Sequence, residues 1–235
     1  MHHVLVGPEH WSGEPGILAI EGEEARHAIR VKRLKQGERV GVLDGAGRRG
    51  VGAVSVIAGN RRSFELDVDQ VTIEPPVEPR LEIWAAAPKG DRLETMVDHL
   101  SQAGATAWVP ITSDLTEREL TEKRAERLER VADESLKQCG RAWKLEIASP
   151  RPASEAWADQ GALVLVADAT GGAMPECPAA GTVRVVVGPE GGWTASELEA
   201  ASAAGATRVG LGPHVMRIGT AAVVAAGVVR AASVG

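Results

Sequence analysis

Val183-Arg-Val-Val-Val-Gly-Pro-Glu-Gly-Gly-Trp-Thr-Ala-Ser-Glu197 is the stretch from which the fold of this chain can be read. Its first five residues include four valines, the β-branched composition of a buried strand. Gly188, Gly191 and Gly192 then permit close approach of backbone to a ligand and leave main-chain amides unobstructed. Thr194 and Glu197 have the spacing of a capping box, so a helix begins directly after the glycines. A strand that passes through a glycine-rich turn into a helix places that turn at the carboxyl edge of an α/β sheet, where open sheets bind small molecules. Spacing alone leaves a plain strand-to-helix turn equally open.

A second stretch, Leu211-Gly-Pro-His-Val-Met-Arg-Ile-Gly-Thr-Ala221, leaves a strand, makes a loop and enters an Ala/Val helix. Arg217 at such an edge suits an anionic group or an RNA phosphate, and it suits equally well a carbonyl cap or a pair with Glu190. His214 has the chemistry of a general base, although a lone exposed histidine more often has no such role.

On either side of these loops the pattern is strand and helix in alternation. Leu81 to Ala87, Thr106 to Ile111, Ala162 to Ala167, Val183 to Val187 and Arg208 to Leu211 read as strands, and 91–103, 121–139, 195–204 and a segment starting near Thr220 read as helices. That rhythm predicts a mostly parallel α/β sheet. In the long helix, charges of both signs at three- and four-residue spacing (Glu122, Glu126, Arg130, Asp133, Lys137 among them) read as solvated ion pairs. Upstream, Arg39 to Asp44, Gly50 to Ala58 and Ser63 to Thr72 are short β-branched runs, as in a small antiparallel barrel or sheet, with one helix over about 23–34. Glu74-Pro-Pro-Val-Glu-Pro79 separates the two patterns, because three prolines in six residues remove donors and favour extended backbone. Two domains are expected, 1–73 and 80–235.

At 235 residues, 44% hydrophobic and 25% charged, the chain has the composition of a folded globular protein. Its longest apolar run, Thr220 to Val229, is shorter than the roughly 20 residues that cross a bilayer. Met1 to Trp11 lacks the basic segment and apolar stretch of a secretory signal, so no membrane association and a cytoplasmic location are expected. Cys139 and Cys177 form no Cys-x-x-Cys pair, which argues against a structural metal and against redox chemistry. Gly45-Ala-Gly-Arg-Arg-Gly50 matches the dinucleotide-binding motif by letter, yet the run that follows is strand-like where that motif needs a helix, so Asp44 to Gly47 reads as a hairpin turn.

Net charge is −6, which does not advertise a nucleic-acid binder, but its distribution is uneven. Between Arg26 and Arg49 stand eight basic residues (Arg26, Arg30, Lys32, Arg33, Lys35, Arg39, Arg48, Arg49) against Glu38 and Asp44 alone. This is either a phosphate-contacting surface or a solvated face. With six Trp, one Phe and no Tyr, no stacking platform for single-stranded bases is visible.

Taken together, Gly188-Pro-Glu-Gly-Gly192 and Leu211-Gly-Pro-x-Val-Met-Arg-x-x-Thr-Ala221 resemble the RsmE family of 16S ribosomal RNA uridine-N3 methyltransferases, in the SPOUT superfamily. The resemblance spans the chain: His27 with Val31 and Arg33, Asp44-Gly45, Pro88-Lys89-Gly90, Gly104 with Pro110, and Lys137-Gln-Cys-Gly-Arg141 fall in family order. It implies a carboxyl-terminal α/β domain with a deep trefoil knot, a PUA-like RNA-binding β-barrel before it, S-adenosylmethionine as cofactor, 16S rRNA of the small subunit as partner, and a homodimer with its site completed near the partner chain. The implied cofactor contacts are Gly188, Pro189, Glu190, Gly191, Gly192, Leu211, Gly212, Val215, Met216, Thr220 and Ala221, mostly through main chain. Arg217 is the implied catalytic residue, stabilising charge that develops on the uracil. Arg30, Lys32 and Arg33 become phosphate contacts, with Lys89, Arg92 and Arg141 as weaker candidates.

Four positions depart from the family pattern: Gly219 stands at a usual Glu, His99 and Gln102 at a usual Lys and Glu, and Asp114 at a usual Arg. The competing readings are a methyltransferase of the same superfamily acting on another RNA, a catalytically silent RNA-binding relative, and a nicotinamide-dependent oxidoreductase using Gly45 to Gly50.

Overall fold

In the computed structural model, which describes residues 1–116 and 120–233, the chain groups into two units, Met1–Pro76 with Asp133–Lys144, and Val77–Ala132 with the residues from Leu145 onward. In the first unit, β1 (His2–Leu5), β2 (Gly16–Ile20), β3 (Arg39–Leu43), β4 (Arg48–Ile57) and β5 (Phe64–Ile73) form one sheet in the order β1-β3-β4-β5-β2. Strand β5 shows why: Phe64, Leu66 and Val68 are buried while Glu65, Asp67 and Asp69 point to solvent, the alternation that fixes one face to a core. The three central runs are those expected. β1 and β2 were not apparent in the sequence, and β1 pairs with β3 in parallel, so the sheet is not wholly antiparallel. Helix α1 (Gly22–Arg30) closes the core with Ala25, Ala28 and Ile29, which leaves Arg26 and Arg30 on its opposite, exposed face.

The Asp44–Gly47 turn forms as expected. The Asp44 carboxylate accepts hydrogen bonds from the amides of Ala46 (2.7 Å) and Arg48 (2.9 Å), and Gly45 and Gly47 hold φ of 72° and 102°. Because Gly50 lies inside β4, no helix amino terminus faces this turn, and the dinucleotide reading has no structural support. Asp133–Lys144 belongs to this unit through particular bonds: Lys137 Nζ lies 2.9 Å from Glu24, and Trp143 Nε1 donates to the Pro75 carbonyl (2.8 Å).

The second unit contains β6 (Arg80–Ala85), α2 (Arg92–Gln102), β7 (Ala107–Thr112), α3 (Glu122–Cys139, whose last turns belong to the first unit), β8 (Glu146–Ile147), β9 (Arg151–Pro152), α4 (Ser154–Ala158), β10 (Ala162–Gly172), β11 (Thr182–Val187), α5 (Ala195–Ala203), β12 (Thr207–Val209) and α6 (Ile218–Ser233). Its sheet runs β12-β10-β11-β6-β7-β8, with β9 beside β7, and every pairing is parallel. The near-continuous valines of β11 follow from burial on both faces. Its one interruption is matched across the ladder: Arg184 Nε lies 2.7 Å from Glu82, which also accepts from Arg80 (3.0 Å) and Trp84 Nε1 (3.0 Å). Burial works to raise the Glu82 carboxyl, but the bonds from Arg184, Trp84 and Arg80 outweigh it and hold the group below the usual carboxylate range.

Helix α6 packs on α2, β6 and β11 through Ile218, Ala221, Ala222, Ala225, Ala226 and Val229, a stripe whose small residues let the helix lie close to the sheet. Strand β10 continues five residues past the expected Ala167, to Gly172. Polar Asp168 and Thr170 hide this extension from a hydrophobic pattern, while a register shift against β12 accommodates it. Among the described residues, no helix is long and apolar enough to cross a membrane, and no group of His, Cys, Asp and Glu could hold a metal ion.

Candidate active site

The carboxyl ends of β10 and β11 and the loop after β12 enclose a cleft of about 450 Å³. This is the crevice position that parallel sheets offer to ligands. Of the residues expected at the cofactor, Gly188, Pro189, Glu190, Gly192, Leu211, Gly212, Val215, Met216 and Ala221 line it, and so does Arg217. Gly191 and Thr220 do not. Thr220 faces an adjoining cavity of about 330 Å³ together with Pro88, Arg92, Met96, His99, Val223 and Val224.

Local sequence explains the glycine loop. A Cβ on Gly188 would stand 2.8 Å from the Trp193 indole, which is held by a 3.1 Å hydrogen bond from Nε1 to the Ala167 carbonyl. Gly192 adopts φ of 76° and donates its amide to the Pro189 carbonyl (2.9 Å), closing the turn. The predicted capping box is complete: Thr194 Oγ1 accepts from the Glu197 amide (3.3 Å), and the Glu197 carboxylate accepts from the Thr194 amide (2.8 Å).

The second loop has a different character. Among the described residues, no main-chain amide or carbonyl from Leu211 to Met216 makes a hydrogen bond within the protein. Such a run of unpaired donors and acceptors along the wall of an otherwise largely apolar cleft is suited to a ligand recognised through backbone. At Gly212 a Cβ would stand 2.9 Å from the terminal methyl of Met216, a flexible side chain that would have to shift. Val215, 88% exposed, stands at the rim.

Sequence reasoning missed Ala167, Asp168, Ala169, Trp193 and Leu198 in the cleft wall. Ala167 ends the expected strand, and Asp168 and Ala169 lie on the unforeseen continuation of β10. Asp168 is not free for chemistry: Arg208 Nε lies 2.9 Å and the Thr170 amide 2.9 Å from its carboxylate, and these bonds outweigh burial to keep its pKa below the ordinary value.

Arg217 is exposed, lines both cavities, and makes neither the carbonyl cap nor the pair with Glu190 that the sequence left open. At Gly219 a Cβ would meet Met96 at 3.5 Å, an ordinary contact, so packing does not require glycine at this position. Gln102 bonds Asp98 (2.9 Å), and the Asp114 amide donates to Glu197 (3.1 Å) beside the capping box.

The structure also divides the basic cluster of the first unit. Arg26 pairs with Glu23, Arg39 with Asp69 and Arg49 with Glu74, and Arg48 donates to the carbonyls of Pro8 and Trp11. Arg30, Lys32 and Arg33 are exposed and have no ion pair among the described residues. Arg33 adopts φ of 57°, in the left-handed region, just after α1. Of the weaker candidates, Lys89 is exposed, Arg92 donates to the Lys89 carbonyl (3.3 Å), and Arg141 is a half-buried, partnered member of the first unit instead of the second.

These features agree with what the chain is similar to. A model described as an RNA methyltransferase domain matches residues 75–230, and one described as an RNA methyltransferase PUA domain matches residues 20–68, which defines the class as an RNA methyltransferase with a PUA domain. A ribosomal RNA small subunit methyltransferase E of Mycobacterium bovis is 31% identical over 226 residues, covering 91% of this chain and 86% of the relative. The chain belongs to the ribosomal RNA small subunit methyltransferase E family. Among solved structures, a probable rRNA methyltransferase from Porphyromonas gingivalis superposes with a TM-score of 0.81 at 27% identity, covering 100% of this chain and 99% of that one. The fold also matches a ribosomal RNA small subunit methyltransferase E from Neisseria gonorrhoeae bound to S-adenosyl methionine, with a TM-score of 0.85 at 22% identity, covering 98% and 97%.

Proposed function

We propose that the protein transfers the methyl group of S-adenosylmethionine to N3 of one uridine in 16S rRNA of the small ribosomal subunit. The observation that carries this reading is the cleft of about 450 Å³ with its unpaired main chain over Leu211 to Met216, in a chain matched along 91% of its length by a ribosomal RNA small subunit methyltransferase E. The residues present suit the cofactor: Gly188 and Gly212 keep the walls clear, and the free amides and carbonyls offer partners for a nucleoside and an amino-acid moiety. When bound, S-adenosylmethionine supplies an electrophilic methyl group on a positively charged sulfur.

The chain's own residues do the rest. Gly188, Pro189, Glu190, Gly191 and Gly192, with Leu211, Gly212, Val215, Met216, Thr220 and Ala221, hold the cofactor, chiefly through main chain. Arg217 meets the uracil carbonyls or the flanking phosphate and stabilises the negative charge that develops as N3 attacks. Because N3 lies on the Watson–Crick edge, the base enters unpaired or turned out of its helix. Arg30, Lys32 and Arg33 contact phosphates, supported by Lys89, Arg92 and Arg141. Residues 1–73 of the first unit form a PUA-like barrel, and the second unit is trefoil-knotted around the 211–221 segment. It works as a homodimer in the cytoplasm, the partner chain completing the site.

The test is to incubate the protein with labelled S-adenosylmethionine and small subunits lacking uridine-N3 methylation, then map reverse-transcriptase stops, since an N3 methyl blocks pairing. A single stop is the expected outcome. Binding of S-adenosylhomocysteine without any transfer would oppose this reading and favour a silent relative or another RNA.

A further inference from the structure

Methyl transfer to N3 of uridine requires that the N3 proton leave, because the neutral N3–H nitrogen has no lone pair available for attack. The cleft described above and the adjoining cavity of about 330 Å³ share three wall residues, Glu190, Arg217 and Ile218. The smaller cavity has apolar walls from Pro88, Met96, Val223 and Val224, suited to the faces of a pyrimidine ring. A methyl group held in the first cavity and delivered to a base in the second must pass the shared wall, which carries one carboxylate and one guanidinium.

From this juxtaposition we infer that the adjoining cavity receives the target uracil and that the Glu190 carboxylate accepts its N3 proton, opposite Arg217 on the same wall. The inference rests on the uridine-N3 reading above. Glu190 is exposed and makes no hydrogen bond or ion pair among the described residues, so its carboxylate is available. The other titratable groups are placed less well. Asp168 lines only the first cavity and is engaged by Arg208 and Thr170, His214 also lines only the first, and Arg92 and His99 line only the second.

The step balances. The N3–H bond breaks towards a Glu190 oxygen, the freed nitrogen pair forms the bond to the methyl carbon, and the carbon–sulfur pair stays on sulfur, which passes from cation to neutral thioether. The proton then returns to solvent from an exposed side chain. Arg217 and Glu190 thereby divide the work, one steadying charge on the carbonyls and the other removing the proton.

Glu190→Gln, nearly isosteric on an exposed loop, is the test, read by single-turnover methylation of unmethylated small subunits from pH 6 to 9 beside titration with S-adenosylhomocysteine. At pH 7 the variant is expected to lose about 10²- to 10⁴-fold in rate. Its rate should then rise about tenfold per pH unit as solvent takes over deprotonation, more steeply than the wild type, with S-adenosylhomocysteine affinity within about threefold. A rate within threefold of wild type would overturn the inference, as would a loss explained by weakened S-adenosylhomocysteine binding or one that leaves the pH profile unchanged. A wild-type protein that binds S-adenosylhomocysteine but methylates no uridine N3 would overturn the underlying reading itself, a result distinct from an active wild type with an unaffected variant.

Discussion

The two regions that carry function are built on opposite principles. In the first unit, Arg30, Lys32 and Arg33, the proposed phosphate contacts, are charged side chains on a surface, and any fold exposing that segment would present them. In the second, the cleft at β10 and β11 is built from main chain and small residues, and the side chains that matter for its shape, Trp193 and Met216, matter because they occupy space. A side-chain site announces itself as composition but does not say which charges are already paired. A main-chain site is nearly silent in composition and is visible only through the glycines its geometry demands.

The sharpest way to break this contrast is at Arg217, the one cationic side chain in the cleft wall proposed to act on the substrate. Arg217→Ala is expected to lower single-turnover methylation by about 10²- to 10³-fold while leaving S-adenosylhomocysteine affinity near wild type. An unchanged rate would remove the only cationic side chain from the proposed chemistry and leave main chain and the Glu190 carboxylate to carry it.

Gly188→Ala probes the other half of the comparison. Its Cβ would meet the Trp193 indole at 2.8 Å, so a displacement costing about 1–3 kcal/mol is expected, seen as a lower melting temperature and weaker S-adenosylhomocysteine binding by calorimetry. Neutral behaviour in both measurements would show that the indole has room to give and that the loop tolerates side chains.

The smallest effect is expected on the charged face. Replacing Arg30 and Arg33 together by Ala should flatten the dependence of log RNA affinity on log salt by about one to two units. Replacing the paired Arg39 should leave the slope alone, because Asp69 already compensates it. Equal effects from both variants would mean that the whole basic cluster acts through its summed charge, and that pairing does not sort it.

Much of this was legible in the residues. The valines of β11, the capping box of Thr194 and Glu197, the proline-rich 74–79 segment and the Asp44–Gly47 turn are local effects, governed by β-branching, backbone donors and turn chemistry, and each appears where expected. The glycines and the Leu211 to Ala221 motif placed nine of the eleven cofactor positions on one cleft wall. The sequence by itself thus determined the element types, the alternating α/β order and the position of each glycine-rich loop along the chain, because these depend on neighbours a few residues apart.

Tertiary structure decided the rest. Only the sheet order put the polar continuation of β10 into the cleft, and only long-range pairing revealed that Arg39, Arg48 and Arg49 are occupied while, among the described residues, Arg30, Lys32 and Arg33 have no ion pair. The grouping of Asp133–Lys144 with the first unit depends on Glu24 meeting Lys137 across 113 residues. The wall that Glu190 and Arg217 share is likewise a product of tertiary structure, since a pattern of spacings carries no information about which distant segments the chain brings into contact.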